Sequence, residues 1–355
     1  MLKRGSTIGI LGGGQLGRMM ATSAAQLGYR VIGFAPDGDN VMGDVAEDFV
    51  TAAWDDEAAL AAFAARCDVV TWEFENVPVA TARGIAGTAI FPDPKALETA
   101  QDRLDEKRFI EELGGRPAAY AKVDSSYDLI AAADRLGAPG IVKTRRDGYD
   151  GKGQWRIANG REAEALNVPD TPCIYEAFVE FEAEFSVILV RSQEGEIRFW
   201  DSTRNEHRGG ILAASHFPAG EPIASQIAEA RELARKVADA LNYVGVLTLE
   251  FFATHEGPIF NEMAPRVHNS GHWTIEGAAT SQFENHIRAV AGLPLGDTRT
   301  TAARVEMRNI LGSDIENAHA ALADARLHLH DYGKADASEG RKMGHATLIT
   351  HDASR

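Results

Sequence analysis

The stretch "IVKTRRDGYDGKGQW", residues 141–155, decides how the rest of the chain is read. Its apolar start reads as a strand that delivers Lys143 into a turn. In that turn Gly148, Gly151 and Gly153 alternate with Tyr149, Asp150, Lys152 and Gln154. Glycines let backbone N–H groups approach phosphate oxygens closely, and the basic side chains complete an anion cradle. There is no G-K-[ST] ending and a strand follows, so this is not a Walker A loop. Taken alone, an ordinary glycine-rich hairpin stays open. Around it lie the helix "YDLIAAADRLG", the strand "QWRIA" and the hairpin-rich "CIYEAFVEFEAEFSVILVRS". From about residue 117 the pattern is therefore α+β.

Towards the N-terminus the pattern is different. "TIGILGGGQLGRMMATSAAQLGYRVIGFAPD" reads as strand (6–11), glycine turn, helix and strand (30–34), the start of a parallel sheet. Gly12, Gly14 and Gly17 spell G-x-G-x-x-G, and Asp37 lies about 20 residues beyond Gly17, where a ribose-binding acid belongs in a dinucleotide fold. Further strands are expected at 68–72 and 89–91. "WEFENVP" puts Glu73, Glu75 and Asn76 just past one of them, at the carboxyl edge where open α/β sheets bind ligands. A helix N-cap with first-turn acids accounts for the same residues equally well.

Four later segments carry chemistry-bearing side chains. The run Glu176, Ala177, Phe178, Val179 resembles a strand edge able to pair with an adenine ring, and Glu184, eight positions after Glu176, could accept ribose hydroxyls; taken alone, the segment reads better as a solvated acidic edge. "LTLEFFATHEGPIFNEMAPR" reads as a hairpin turning at His255-Glu256-Gly257. Ala253 would then face Ile259, Phe252 face Phe260, and Glu250 face Glu262. Opposed like charges are unfavourable unless a cation sits between them, and hard oxygen ligands beside phosphates suit Mg²⁺. One residue of slip would separate the two carboxylates. "APRVHNSGHWT" gathers Arg266, His268, Asn269 and His272 in a loop, with Arg suited to bidentate anion binding; a loop stitched by its own hydrogen bonds is the alternative. "EGRKMGHATL" places Arg341 beside Lys342, either a phosphate hook or a solvated basic pair. "RLHLHD" reads as an edge strand, since no third metal ligand accompanies His328 and His330.

The 355 residues suffice for two or three domains, with 45% hydrophobic and 25% charged residues. A net charge of −16 argues against nucleic acid or an anionic membrane surface as partner. Two cysteines, Cys67 and Cys173, fit neither a zinc spacing nor a disulfide framework, so a cytoplasmic location is expected. No signal peptide, bilayer-spanning stretch or internal repeat is visible, and no Ser/His/Asp or Cys/His nucleophile pattern is found.

The order of these pieces resembles the ATP-grasp superfamily and, within it, the N5-carboxyaminoimidazole ribonucleotide synthetase family of purine biosynthesis. The resemblance rests on "GILGGGQLGRMM", "TWEFENVP", "DRLDEKRFIEELG", "IVKTRRDGYDGKGQW", "FNEMAPRVHNSGHWTIEGAATSQFENHIRAVAGLPLG" and "GRKMGHATL", which together span nearly the whole chain. Glu206 in "STRNEHRGGIL" departs from the usual family residue, while His207 is retained. The resemblance implies a mixed α/β and α+β fold. A Rossmann-like pre-ATP-grasp domain (1–98) would precede a two-lobed ATP-grasp domain (99–295) and a small β-rich C-terminal domain (296–355). It implies that Arg103, Lys143, Gly148–Gln154, Glu176–Val179, Glu184, His207, Asn261 and Glu262 contact ATP. Glu250 and Glu262 would hold Mg²⁺, with Mn²⁺ as an alternative. Tyr149, Arg266, His268 and Lys342 would serve the chemistry. Gly14, Gln15, Leu16, Glu73, Asn76, Arg266, Asn269, Arg341 and Lys342 would line the ribonucleotide pocket.

The implied reaction carboxylates 5-aminoimidazole ribonucleotide with ATP and bicarbonate, through carboxyphosphate, without biotin or a nicotinamide, in a homodimer. Three other readings compete. The first is a related ATP-grasp ligase such as the formate-using glycinamide ribonucleotide transformylase. The second is a nicotinamide dehydrogenase, which leaves Glu250, Glu262 and the second glycine loop unexplained. The third is a non-catalytic nucleotide sensor.

Overall fold

The computed structural model describes residues 1–148 and 153–351. Strand β1 (Thr7–Leu11) is buried at every position, as a strand covered on both faces must be. It leads into α1 (Gln15–Gln26) and β2 (Arg30–Ala35). β3 (Asp48–Thr51), α2 (Glu57–Ala64), β4 (Val69–Trp72), α3 (Val79–Gly84) and β5 (Ala89–Ile90) complete the unit. All five strands are parallel, in the order β3-β2-β1-β4-β5. Strand order reverses between β1 and β4, so a crevice opens at their carboxyl ends, where Gly12 and Glu73 stand.

Two helices, α4 (Lys95–Ala100) and α5 (Arg103–Glu112), connect this sheet to a small lobe. The lobe contains β6 (Tyr120–Val123), α6 (Ser126–Leu136), β7 (Gly140–Thr144), β8 (Gln154–Ile157), α7 (Gly160–Ala165) and β9 (Cys173–Ala177). Its antiparallel strands run β6-β9-β7-β8. Val123, Leu129, Val142, Ile157 and Tyr175 form its own core.

The third sheet has nine strands. It begins with β10 (Ala183–Arg191), β11 (Ile197–Phe199), β12 (Arg204–Arg208) and β13 (Ile211–Phe217). The long amphipathic α8 (Ile223–Ala240) leads to β14 (Gly245–Thr254) and β15 (Gly257–Ala264). After α9 (Thr274–Gly277) and α10 (Gln282–Val290) come β16 (Arg304–Leu311), β17 (Leu327–Asp331) and β18 (Lys342–Thr350). The order is β15-β14-β10-β12-β13-β16-β18-β17, with β11 paired to β10. The C-terminal strands thus extend the large sheet, because β16 pairs with β13. β17 is the edge strand expected of "RLHLHD"; its His330 stacks on His345 and bonds Glu276.

The parallel sheet docks on the large one through a shared core of Leu11, Phe34 and Trp72 with Phe185, Leu249 and Phe260. Trp72 Nε1 donates to the Pro265 carbonyl at 2.9 Å. His286 Nδ1 accepts the Val246 amide at 3.1 Å, so its proton sits on Nε2, 2.8 Å from Thr71 Oγ1. Burial drives the His286 pKa down to about 3. The unfolded value is about 6.5, so below that pH the unfolded chain binds more protons. This contribution to stability is complete above about pH 6.5 and is lost as pH falls towards the folded value. Two buried carboxylates act with the opposite sign over the same range, Glu106 at about 8 and Glu250 at about 7. The His286 contribution is therefore read as a difference. Between about pH 7 and pH 5, the melting temperature of His286→Gln should fall less steeply than that of the parent. Equal slopes would refute a neutral His286 at this junction.

Candidate active site

A cleft of about 850 Å³ lies where the three parts meet. Its first wall is the carboxyl edge of the parallel sheet. There the glycine turn is closed by a carboxylate from the protein itself. Gly14 N–H donates to Glu73 Oε1 at 2.8 Å, and Gly17 N–H to Glu73 Oε2 at 3.2 Å. Glycine is needed for this approach: a Cβ on Gly12, which has φ +115°, would lie 2.5 Å from Glu73 Cγ. The helix end is an anion site, as expected of G-x-G-x-x-G, but Glu73 already engages the amides a pyrophosphate would need. Burial raises the Glu73 pKa against those two hydrogen bonds. Gln15, Leu16, Asp37, Phe74 and Asn76 line the same wall.

The second wall is built by α5, β7, β9 and the β14–β15 hairpin. Lys143 Nζ donates to Glu176 Oε2 at 2.8 Å, and Lys107 Nζ lies 3.3 Å from Glu176 Oε1. Burial opposes ionisation of Glu176, but the Lys107 and Lys143 charges hold it at about 2. Burial lowers the Lys143 pKa, and the nearby Arg103 and Lys107 charges add to the shift. Arg103 spans the wall: Nη1 reaches Glu262 Oε2 at 3.1 Å and Nη2 donates to the Gly148 carbonyl at 3.0 Å. One helical turn on, Glu106 Oε1 accepts the Met263 amide at 2.7 Å. α5 therefore grips β15 beside the acidic pair.

The hairpin register differs from the expected one near the turn. Phe252 faces Ile259, Phe251 faces Phe260, and Ala253 faces Pro258. The turn is thus one residue tighter than His255-Glu256-Gly257. Glu250 nevertheless faces Glu262, because the register shifts between Glu250 and Phe251 and leaves Asn261 as the extra residue of a β-bulge. Burial raises the Glu250 pKa to about 7; Glu262 and Glu184 reinforce the shift against the His207 imidazole. Burial also works against ionisation of Glu262, but Arg103 and Lys143 keep its pKa below the ordinary value. Two opposed hard-oxygen groups, one of them buried and disfavoured as an anion, fit a divalent cation such as Mg²⁺. Among the described residues there is no group of three or more His, Cys, Asp or Glu able to hold a metal. The pair would therefore need phosphate oxygens or water as further ligands.

At the junction of the walls stand Arg266, His268 and Asn269. Arg266 Nε pairs with Glu75 Oε2, and Arg266 Nη1 donates to the Val267 carbonyl at 2.9 Å. His268 Nε2 is 3.2 Å from Glu250 Oε1. Burial, reinforced by Arg266 and Lys342, holds the His268 pKa well below its usual value, so the ring is neutral. Asn269 is buried with neither side-chain amide atom paired among the described residues, and it lines the cleft. Those polar atoms suit a ligand.

The C-terminal segment closes the third side. Arg341 Nη2 pairs with Asp39 Oδ2 at 2.6 Å, across the cleft mouth. Lys334 Nζ donates to the Lys342 carbonyl at 2.8 Å, and burial with Arg341 lowers the Lys334 pKa to about 8. The charge of Lys342 bears on both Glu75 and Glu250.

At the far end of the second wall, His207 Nδ1 pairs with Glu184 Oε2, which outweighs burial and raises the His207 pKa. The Ala177 and Phe178 amides already donate to the Ala119 and Pro139 carbonyls, at 2.8 and 3.0 Å. Phe178 is 55% exposed. Tyr149, Asp150, Gly151 and Lys152 lie outside the described residues.

Comparison with known proteins identifies the family and its domains. Residues 5–101 match the ribonucleotide synthetase preATP-grasp domain, 108–283 the ATP-grasp domain, and 306–355 the phosphoribosylaminoimidazole carboxylase C-terminal domain. The N5-carboxyaminoimidazole ribonucleotide synthase of Brucella melitensis is 52% identical, over 98% of this chain and 97% of that protein. The chain belongs to the N5-carboxyaminoimidazole ribonucleotide synthase family. The crystal structure of the Thermus thermophilus synthetase has a TM-score of 0.89 at 46% identity, covering 96% of this chain and 93% of the other. That of an Aspergillus clavatus synthase in complex with ADP and 5-aminoimidazole ribonucleotide has a TM-score of 0.87 at 29% identity, covering 98% and 94%.

Within this synthase family fold, sequence reasoning passed over several residues in the cleft and buried behind it. Glu106 and Lys107 follow Arg103 by three and four positions, the spacing of one helix face, so a helical reading of "DRLDEKRF" carried a signal. Glu75 was visible in "WEFENVP" but had no assigned partner. Asp39 and Lys334 carried no local signal.

Proposed function

We propose that the chain catalyses the ATP- and bicarbonate-dependent carboxylation of 5-aminoimidazole ribonucleotide at its amino group, forming N5-carboxyaminoimidazole ribonucleotide, ADP and phosphate. The observation that carries this reading is that two anion-handling walls share one cleft. Arg103 and the Glu250–Glu262 pair form one, with the Lys143 charge acting on Glu262 from behind it; Asn269, Arg341 and Lys342 stand on the other side. ATP would use the first, with its adenine beside Val179 and its ribose beside Glu184 and His207. The Val179 amide suits the base better than the Ala177 and Phe178 amides, which the protein already uses. The ribonucleotide would use the second.

A bicarbonate oxygen attacks the γ-phosphorus of ATP, and the bond to the β-phosphate oxygen breaks, giving carboxyphosphate and ADP. Lys143 and Arg103 neutralise charge on the transferring group, and positioning with electrostatics supplies most of the acceleration in such transfers. Glu250 and Glu262 would hold Mg²⁺, which when bound screens the phosphate charges. The amino nitrogen then bonds to the carboxyl carbon as phosphate leaves, and the departing phosphate takes the amine proton. Arg266 is suited to orienting the carboxylate of the intermediate. Neutral His268 borders the same space. The loop around Tyr149, carried over from the family pattern, would cover the intermediate against water.

The test is ADP release with bicarbonate, with and without 5-aminoimidazole ribonucleotide, alongside detection of the carboxylated product. ADP without carboxylated product would overturn the assignment. Lys342→Ala should raise the KM for the ribonucleotide about ten-fold or more while the KM for ATP changes little. An unchanged ribonucleotide KM would remove Lys342 from that pocket. A homodimer and a cytoplasmic location complete the proposal. Among the described residues no helix is long and apolar enough to cross a membrane. Sedimentation of the purified protein reads its oligomeric state.

A further inference from the structure

Behind His268 runs a chain of buried polar groups that the mechanism above does not use. The Ser270 amide donates to His268 Nδ1 at 3.2 Å, and Ser270 Oγ lies 2.8 Å from the same nitrogen. Ser270 Oγ is 2.8 Å from Ser186 Oγ on β10, and Asn205 Nδ2 on β12 donates to Ser186 Oγ at 2.8 Å. Asn205 Oδ1 in turn accepts from Ser215 Oγ at 2.9 Å and Thr203 Oγ1 at 3.1 Å. Ser186, Asn205, Ser215, Thr203 and Ser270 are all buried. Three strands of the large sheet, β10, β12 and β13, and the loop after β15 therefore converge on one imidazole.

The direction of the chain follows from its ends. With two hydroxyls donating to Oδ1, Asn205 must present its N–H to Ser186. Hydroxyl protons rotate to suit their neighbours, so Ser186 can then donate to Ser270 and Ser270 to Nδ1. The Ser270 amide, 3.2 Å from Nδ1, favours the same outcome. The imidazole proton is left on Nε2, facing Glu250 Oε1 at 3.2 Å. Buried polar chains of this kind hold a single arrangement when every member is satisfied.

We propose that the Asn205–Ser186–Ser270 chain sets the tautomer of His268, with Nδ1 unprotonated and Nε2–H directed at Glu250, and thereby positions His268 for the carboxylation step. These three are positioning residues; none touches the cleft contents in the mechanism above. The catalytic half of the proposal rests on the reading that His268 borders the bicarbonate-derived intermediate.

Two readouts separate the halves. Long-range ¹H–¹⁵N correlation on ¹⁵N-histidine-labelled protein reports the tautomer without any turnover. The parent should show the Nε2–H form. Asn205→Asp replaces the side-chain N–H donor at the start of the chain by an acceptor of the same shape, so the chain reverses and the Nδ1–H form should grow. Ser186→Ala breaks the chain and should give a mixture. In both variants the ratio of ADP to carboxylated product should rise about ten-fold, with the KM for ATP within about two-fold of the parent. In a His268→Ala background, Asn205→Asp should change that ratio no further. An unaltered tautomer in both variants overturns the proposal outright. A ratio that still rises in the His268→Ala background shows that the chain acts elsewhere and overturns the positioning role. A shifted tautomer with an unchanged ratio in Asn205→Asp and in His268→Ala supports the tautomer assignment and overturns the role of His268 near the intermediate.

Discussion

Replacing Lys143 by alanine is expected to lower bicarbonate-dependent ADP formation by about a thousand-fold, the scale seen when a preorganised charge on a transferring phosphoryl group is removed. Lys143 is buried at the end of β7, and its own pKa is lowered by burial and by Arg103 and Lys107. Three cations so close together repel one another in the unliganded protein, and Glu176 offsets only part of that repulsion. On the proposed reading, polyphosphate completes the compensation. The substitution leaves Glu176 paired to Lys107 at 3.3 Å, so the fold should persist. A thermal melt beside the rate measurement checks this. Lys143→Arg keeps the charge but replaces a compact ammonium by a planar fork, and should recover only a small part of the rate. ADP formation within ten-fold of the parent in Lys143→Ala would remove the phosphate role from this wall.

The elements that hydrophobic period and glycine punctuation could carry were legible in the sequence. The βαβ start, the strand before Lys143 and the helices at the expected places follow from local pattern alone. Pairings between distant segments were not, because periodicity says which face is buried and not which strand lies beside it. The ion pair of Arg266 with Glu75 joins residues 191 positions apart, and that of Arg341 with Asp39 joins residues 302 apart. Neither has a local trace. The docking of β16 on β13, which makes the C-terminal strands part of the large sheet, is hidden for the same reason.

Two readings were partly right in an instructive way. The G-x-G-x-x-G turn does end in a helix N-terminus that takes an anion. The anion is the carboxylate of Glu73, supplied by a strand 59 positions away from Gly14. The paired carboxylates do face each other, but the turn is tighter than expected and the bulge at Asn261 restores the pairing. A regular ladder drawn from the observed turn would have set Glu250 against Asn261. Bulges re-aim side chains next to active sites, and composition gives little warning of them.

That bulge bears on the second large effect. Glu262→Ala is expected to abolish ADP formation to within about a thousandth of the parent rate, while the melting temperature stays level or rises. The two halves of this expectation share one cause. Glu250 and Glu262 stand opposed on neighbouring strands, and burial with the partner carboxylate raises the Glu250 pKa to about 7. Such an arrangement costs stability in the unliganded protein. Arg103, 3.1 Å from Glu262, and His268, 3.2 Å from Glu250, relieve only part of it. Removing Glu262 relieves the repulsion and frees Arg103 to turn towards Glu176, whose charge already acts on it. If the pair were an ordinary surface feature, its loss would leave turnover intact. If it were a structural ion-pair network, its loss would lower the melting temperature. A site built for a divalent cation and phosphate loses activity and keeps or gains stability. Glu262→Asp, one methylene shorter, should retain part of the rate but need a higher Mg²⁺ concentration for half-maximal ADP formation. An unchanged Mg²⁺ requirement in Glu262→Asp, or a large fall in melting temperature with Glu262→Ala, would place the cation elsewhere and leave the pair a structural role.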